Sequence, residues 1–380
     1  MIPLAVPNLA GNEKKYLDNC IDTTFVSSVG EYVNRFEEMV AKATGSEIAV
    51  ATSSGTTGIH AALTAAGVKQ GDIVIIPSFT FIASANAVRH CGADPWLMDI
   101  NPKDWCLNPD VVLEEVEKGC EKTPEGLIHK ETCRRVEALM PVYTLGNIPD
   151  MDKFRRIADE FEIPLIVDAA CAIGATYKEQ PFGQLVDLSI LSFNGNKTIT
   201  CGGGGAVVGN NKELLDHVRH LTTTARVWPD YDFDEVGFNY RMTNIQAAVG
   251  CAQMERLDGF IDSKRKTREY YREHLSTLQK KGISFFPTTS GSSCWFSGIV
   301  LPEGSELSDA KEVCSKLKEN DIEARSFWKP VHLQKPYADA PKGDLRVSES
   351  LWQRIITLPC STAITDDELQ KVADTLISII

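Results

Sequence analysis

Residues 191–205 read LSFNGNKTITCGGGG: a lysine in a short polar turn, then four glycines. Glycines beside a lysine suggest a phosphate loop, but the spacing is wrong for one. A P-loop needs G-x-x-x-x-G-K-[ST]. Lys197 and Thr198 fit its last two places, yet Asn196 and Leu191 stand where the two glycines must be. A dinucleotide fingerprint, G-x-G-x-x-G, also fails, because counting from Gly202 or Gly203 ends on Val207 or Val208. Both motifs require a helix next, whereas GGAVVG reads as a strand entered through a tight bend. The stretch therefore predicts a lysine held at a strand end, with the glycines allowing close backbone packing.

The surrounding sequence predicts the sheet that carries this turn. EIAVATSS, DIVIIPS, DPWLMDI, VEALMPVY, IPLIVDAA and DLSILSF are short, nearly continuous apolar runs. Helical patterns lie between several of them, including TTGIHAALTAAGV, FIASANAVRHCG and the amphipathic DMDKFRRIADEFE. Buried strands alternating with helices predict an α/β fold with a mostly parallel sheet covered on both faces. Ligands in such sheets bind at the carboxyl ends of the strands. The turns after AVAT, IIPS, LIVDAA and ILSF all lie there and can converge on one site. After residue 240 the pattern changes to one long helix or two abutting helices, then to short mixed elements. We expect a large domain over residues 1–250 and a smaller α+β domain over 251–380.

Composition narrows the class of function. The formal net charge is -13, which argues against nucleic-acid and anionic-membrane partners. Eleven cysteines show no C-x-x-C pair or zinc-like spacing, which predicts free thiols, no metal site and a cytoplasmic location. MIPLAVPNLAGNEKKY shows no signal peptide, and no apolar run reaches the length of a membrane span.

Three further stretches carry potential chemistry. Asp168 closes the apolar strand IPLIVD. It either caps the following turn or aims a carboxylate into the cleft. ATSSGTTGIHAAL feeds a strand into a helix start, where free N–H groups and the helix dipole favour an anion. Gly55 permits close approach there and Thr56 adds a hydroxyl; a simple helix cap is the plain alternative. SFTFIAS offers Phe79 and Phe81, one of which can stack on a flat cofactor. A lysine that must lose its proton to act as a nucleophile completes the set. Pyridoxal 5′-phosphate (PLP) needs such a lysine, a carboxylate at its pyridine nitrogen and a phosphate cup. The chain order of cup, aromatic, aspartate and lysine matches fold-type I PLP enzymes of the aspartate aminotransferase type.

SGTTGIHAAL, PSFTFIAS, VDAACAIGA, SFNGNKTITCGGGGAVV and GFNYRMTNIQAAVG together resemble the DegT/StrS-type nucleotide-sugar aminotransferases, nearly end to end. FNGNK and SFWKPVHLQKPY are similar to the branch that makes 4-amino sugars for bacillosamine and legionaminic acid. The resemblance implies that Lys197 is the Schiff-base and proton-transferring residue, that Asp168 pairs with the pyridine nitrogen, and that Gly55, Thr56 and Ser192 hold the phosphate. It implies Phe81 and Ala170 on the two ring faces, and Asn239 reaching the cofactor of a neighbouring subunit in a homodimer with shared active sites. It further implies ping-pong transfer from L-glutamate, released as 2-oxoglutarate, to C4 of UDP-4-keto-6-deoxy-N-acetylglucosamine or a GDP- or dTDP-linked analogue. Arg241, Arg325 and Lys329 are candidates for the diphosphate. Two positions depart from the family pattern: Cys171, where Gln, His or Glu is usual near the cofactor's 3-hydroxyl, and Tyr143, where His is frequent beside the sugar. Dehydratases of this family carry His in place of the lysine, so Lys197 favours transamination. A non-enzymatic sensor on the same fold would be expected to lose Lys197 or Asp168.

Overall fold

The computed structural model describes residues 1–380. Seven strands build its central sheet: β1 (Ile48–Thr52), β2 (Ile73–Pro77), β3 (Asp94–Met98), β4 (Arg134–Leu139), β5 (Ile166–Asp168), β6 (Leu188–Ser192) and β7 (Gly205–Gly209). Their order is β1-β7-β6-β5-β4-β2-β3, with β4 and β5 joined by parallel bridges at Leu139–Leu165 and Val142–Asp168. β7 alone is antiparallel to its neighbours β1 and β6; the other pairings are parallel. This is the mostly parallel α/β sheet expected, and the reversed strand is the one that follows the lysine turn. An antiparallel hairpin, Cys120–Thr123 with Gly126–His129, extends β4 and had no apolar run to announce it.

Side chains alternate across each strand, so a doubly covered sheet needs apolar residues at both parities. Ile73 and Ile75 of β2 enter one core, which also holds Phe36, Phe154, Phe182 and Phe193. Val74 and Ile76 enter a second core with Ile59, Leu63, Val88 and Leu215. The first face is covered by α1 (Glu31–Thr44), the second by α2 (Gly55–Ala65) and α3 (Ile82–His90). α4 (Met151–Phe161) returns to the first face, buries Met151, Phe154, Ile157 and Ala158, and is capped by Asp150 accepting from the Lys153 N–H. Full burial of a side chain such as Phe154 contributes about 2–3 kcal/mol. α5 (Lys212–Thr222) lies on the second face. The helical stretch after residue 240 is two helices, α6 (Asn244–Met254) and α7 (Leu257–His274).

The C-terminal part is an antiparallel sheet of order β8-β9-β11-β10, from β8 (Ser284–Phe285), β9 (Ser297–Val300), β10 (Arg325–Ser326) and β11 (Ile355–Leu358). α8 (Leu307–Glu319) and α9 (Asp366–Ile379) cover one face through Leu317, Val372 and Leu376. The other side contributes Phe286, Trp295 and Phe296 to a core shared with Phe79, Trp105 and Leu145 of the large sheet's loops. The chain's start belongs here too: Ile2 N donates to Asp321 O at 2.7 Å and Cys360 N donates to Leu4 O at 2.8 Å. No helix is long and apolar enough to cross a membrane.

His60 of α2 carries a pH-dependent term. It is buried beside Phe238, His90 and Tyr240, whose hydroxyl lies 3.2 Å from Nδ1. Burial, with His90 nearby, pushes its imidazole down to about 4. In the unfolded chain it takes up a proton near its ordinary value of about 6.5. The unfolded state therefore binds more protons between these values, so stability falls as pH drops through that window. The term is about 2 kcal/mol after solvent screening. His60→Gln is expected to reduce the loss of melting temperature between about pH 7 and pH 4.5; an unchanged loss in thermal melts of both proteins would exclude this source.

Candidate active site

A cavity of about 470 Å³ lies where the carboxyl ends of β1, β2, β5 and β6 meet the C-terminal sheet. The four turns expected to converge all line it, through Ser54–Thr56, Thr80 and Phe81, Asp168 with Ala170 and Cys171, and Ser192 with Asn194. The C-terminal part adds a wall of Trp295, Phe296, Phe327 and Trp328.

The expected anion cup corresponds to the N-terminus of α2. Ser54 is the N-cap: its hydroxyl accepts from Thr57 N at 3.1 Å, and Ser54 N donates to Thr57 Oγ1 at 3.0 Å. The cap satisfies the third turn residue and leaves the N–H groups of Gly55 and Thr56 without helical acceptors. Both residues line the cavity. A Cβ on Gly55 would sit 2.9 Å from the Ser192 Cβ, so only glycine lets the serine come this close. Behind the cup, a Cβ on Gly205 would meet the Ser54 carbonyl at 2.6 Å. The glycines after the lysine thus press the reversed strand against the cup, and Gly203 and Gly204 line the cavity themselves.

Asp168 ends β5 and is 5% exposed. Ser84 Oγ donates to Oδ2 at 2.6 Å and Ala170 N to Oδ1 at 3.0 Å. Burial pushes its carboxyl above the usual range, while Ser84, Ala170 and the Lys197 cation pull it back. A carboxylate oriented by two donors and otherwise desolvated is built to meet a positive partner. Lys197 is half-buried at the end of the same cavity. Its Nζ lies 3.3 Å from Cys171 Sγ and 4.0 Å from the centroid of the Trp295 ring. The cup, the oriented carboxylate and the amine fit PLP, whose phosphate, pyridine nitrogen and aldehyde need these three partners.

The other expected positions fall as follows. Phe81 is 56% exposed and lines the cavity, 6.2 Å from Trp328, whereas Phe79 is wholly buried. Ala170 and Arg325 line the cavity. Tyr143 does not. It is fully buried edge-on against Phe182, because Val142 takes the cavity side and the next residue points the opposite way. Arg241 is also elsewhere: its guanidinium is bound to Glu37 at 2.8 Å and to Ala51 O at 3.3 Å, which also holds the end of β1. Lys329 is exposed and outside the cavity lining, as is Asn239. On the surface, His220, Asp234 and Glu235 come close enough to share an ion, and are engaged as histidine–carboxylate contacts. The motifs gave no sign of Ser84 behind Asp168 or of the aromatic wall. Phe327 and Trp328 lie within SFWKPVHLQKPY, whose two adjacent aromatics were the available signal.

The model of the DegT/DnrJ/EryC1/StrS aminotransferase family matches residues 7–377. Over 98% of this chain and 96% of the relative, the sequence is 37% identical to a GDP-perosamine synthase from Caulobacter vibrioides. It is 30% identical to a UDP-4-amino-4,6-dideoxy-N-acetyl-beta-L-altrosamine transaminase from Campylobacter jejuni, over 92% and 90% of the two chains. The crystal structure of DesI in the presence of its TDP-sugar product superposes with a TM-score of 0.85 at 30% identity, covering 99% of this chain and 91% of that one. By these matches along its length, and by the lysine, aspartate and helix-terminal cup in one cavity, the chain belongs to the DegT/DnrJ/EryC1/StrS family of PLP-dependent aminotransferases.

Proposed function

We propose that the protein transfers the amino group of L-glutamate to C4 of a nucleotide-linked 4-keto-6-deoxy sugar, giving the 4-amino sugar and 2-oxoglutarate. The observation that carries the reading is the meeting of Lys197, Asp168 and the α2 N-terminus in one cavity. When bound, PLP supplies the electron sink that makes loss of a proton from an amine-bearing carbon feasible. Ser54, Gly55, Thr56 and Ser192 would hold its phosphate, Asp168 its pyridine nitrogen and Lys197 its carbonyl carbon. The Lys197 amine would take the proton from the Cα of glutamate and later deliver one to C4 of the sugar. One base on a flexible stem can visit both carbons on the same face. The aromatic wall would shield that path on the side of the C-terminal sheet.

The relatives' names support a sugar nucleotide, and that of the Campylobacter jejuni transaminase includes a 4-amino sugar. The resemblance of FNGNK and SFWKPVHLQKPY favoured UDP, for a bacillosamine or legionaminic acid route. The 37% identical relative is named a GDP-perosamine synthase, so we place a GDP-linked sugar first and the UDP sugar second. Purified enzyme with L-glutamate and GDP-, UDP- and dTDP-linked 4-keto-6-deoxy sugars should form one 4-amino product, detected by mass. Release of 2-oxoglutarate with no sugar in the panel aminated would sink the substrate reading.

Arg325 is the cation we assign to the diphosphate, because it lines the cavity and has no carboxylate partner, whereas Arg241 is spent on Glu37. Arg325→Ala is expected to raise KM for the sugar nucleotide about 10- to 100-fold, the range of a charge-assisted hydrogen bond, with kcat nearly kept. A defect confined to the glutamate step would instead assign Arg325 to the donor's carboxylate.

A homodimer fits the same reading. Phe25, Val26, Val29, Trp228, Tyr231, Phe233 and Val236 are all exposed apolar residues, and Asn239 follows them in the chain outside its own cavity. Light scattering at twice 41.8 kDa tests it. All eleven cysteines are free thiols, in keeping with a cytoplasmic location.

A further inference from the structure

If the aminotransferase reading holds, Lys197 needs two resting places: one bonded to the cofactor, one when its amine is released to move protons. The side chains around the Lys197 amine bear on the second. Nζ lies 3.3 Å from Cys171 Sγ and 4.0 Å from the Trp295 ring centroid. We propose that Trp295 and Cys171 are positioning residues that dock the released Lys197 amine and hold it on one face of the site.

Three observations carry this. First, the indole is tied to the lysine's own turn. Its Nε1–H donates to Asn196 O at 2.8 Å, its backbone N donates to Leu145 O at 3.0 Å, and the ring packs on Phe296 with centroids 4.2 Å apart. Trp295 is 3% exposed, so the ring face and the lysine's backbone keep a fixed relation. Second, Cys171 is 5% exposed, and its carbonyl is held by the Ser293 hydroxyl at 2.9 Å. Burial pushes its thiol up, so it is present as S–H at neutral pH. Third, neither contact is a carboxylate. An ion pair would hold the lysine as an ammonium. A thiol can donate to the neutral amine, and a sulfur and a π face can accept the ammonium. The cradle therefore serves both protonation states that proton transfer requires.

The test separates this inference from the reading beneath it, because it begins with cofactor-free, full-length protein. Brief acetic anhydride treatment labels amines, and peptide mass spectrometry gives Lys197 labelling relative to the exposed Lys329. Trp295→Leu and Cys171→Ala are each expected to raise that ratio about fivefold, the loss of one cation–π or thiol contact. Trp295→Phe keeps a ring face and should stay within about twofold. An unchanged ratio in both Trp295→Leu and Cys171→Ala overturns the proposal. If Trp295→Leu does not fold, Cys171→Ala and Trp295→Phe decide it by the same ratios. In the loaded enzyme Trp295→Leu should lower kcat about 10- to 100-fold with KM for glutamate nearly kept, as for a misplaced base. An equal change in KM alone counts against docking. Protein that moves no amino group at all would sink the function, while the labelling ratio still judges the cradle.

Discussion

Lys197→Ala is expected to abolish transamination, lowering kcat by about 10⁴-fold or more, while leaving the fold intact. On the proposed function two roles would be lost together: the covalent attachment point and the proton-transferring base. No second amine is placed to replace them, since Arg325 is the other cation lining the cavity and a guanidinium does not give up its proton. For that reason Lys197→Arg should be as inactive as Lys197→Ala. The structural cost is small, because the half-buried Lys197 amine makes one hydrogen bond, to the Cys171 thiol, and one cation–π contact, to the Trp295 face. Thermal melting should therefore stay close to that of the parent. Cofactor binding should weaken without vanishing, as the α2 cup and Asp168 remain. Borohydride reduction of the loaded parent enzyme should leave the label on the Lys197 peptide. Normal turnover by Lys197→Ala, measured as 2-oxoglutarate release, would refute the mechanism.

Positions that follow from the local sequence pattern were readable. Asp168 ends an apolar strand, Gly55 and Thr56 open a helix, and Lys197 follows another strand; local pattern alone places each at a strand's carboxyl end. The glycines of CGGGG were readable as close packing, and Gly205 against Ser54 is that packing. What was not readable depends on distant partners. Arg241 resembles a free cation until Glu37, 204 positions away, binds it. Tyr143 resembles a cavity residue until Val142 takes the inward side of a short bridge that pairs with Asp168. Trp295 sits in a segment without a motif and reaches the lysine only because the C-terminal sheet packs against the large one. The nucleotide was unreadable for a related reason: a diphosphate can be met by any exposed cation, and the sequence does not show which cations are already paired.

Asp168→Asn should separate stability from function at one atom. The substitution keeps shape, and the amide can be satisfied in place. Its oxygen accepts from Ala170 N, while its nitrogen faces Ser84 Oγ, whose hydroxyl can turn toward Thr80 Oγ1 at 3.1 Å. What disappears is the charge. In the cofactor-free protein the folded carboxyl is raised by burial above its unfolded value. Between those two values the folded state binds more protons, so its stability falls as pH rises through that window, and above it the cost of the buried anion is present. Cofactor-free Asp168→Asn is therefore expected to melt higher than the parent near neutral pH, by about 2 °C or more, with the gain vanishing in acid. With cofactor the order reverses. A neutral amide cannot hold the pyridine nitrogen protonated, so kcat should fall about 10²- to 10⁴-fold and the thermal gain from PLP should shrink. Melting curves with and without PLP, with kcat for 2-oxoglutarate release, read both effects. A parent that outmelts the variant without cofactor would mean that the Ser84 and Ala170 hydrogen bonds outweigh the desolvation of Asp168. A charge that costs the empty protein and serves the loaded one is the signature of a residue kept for its ligand rather than for the fold.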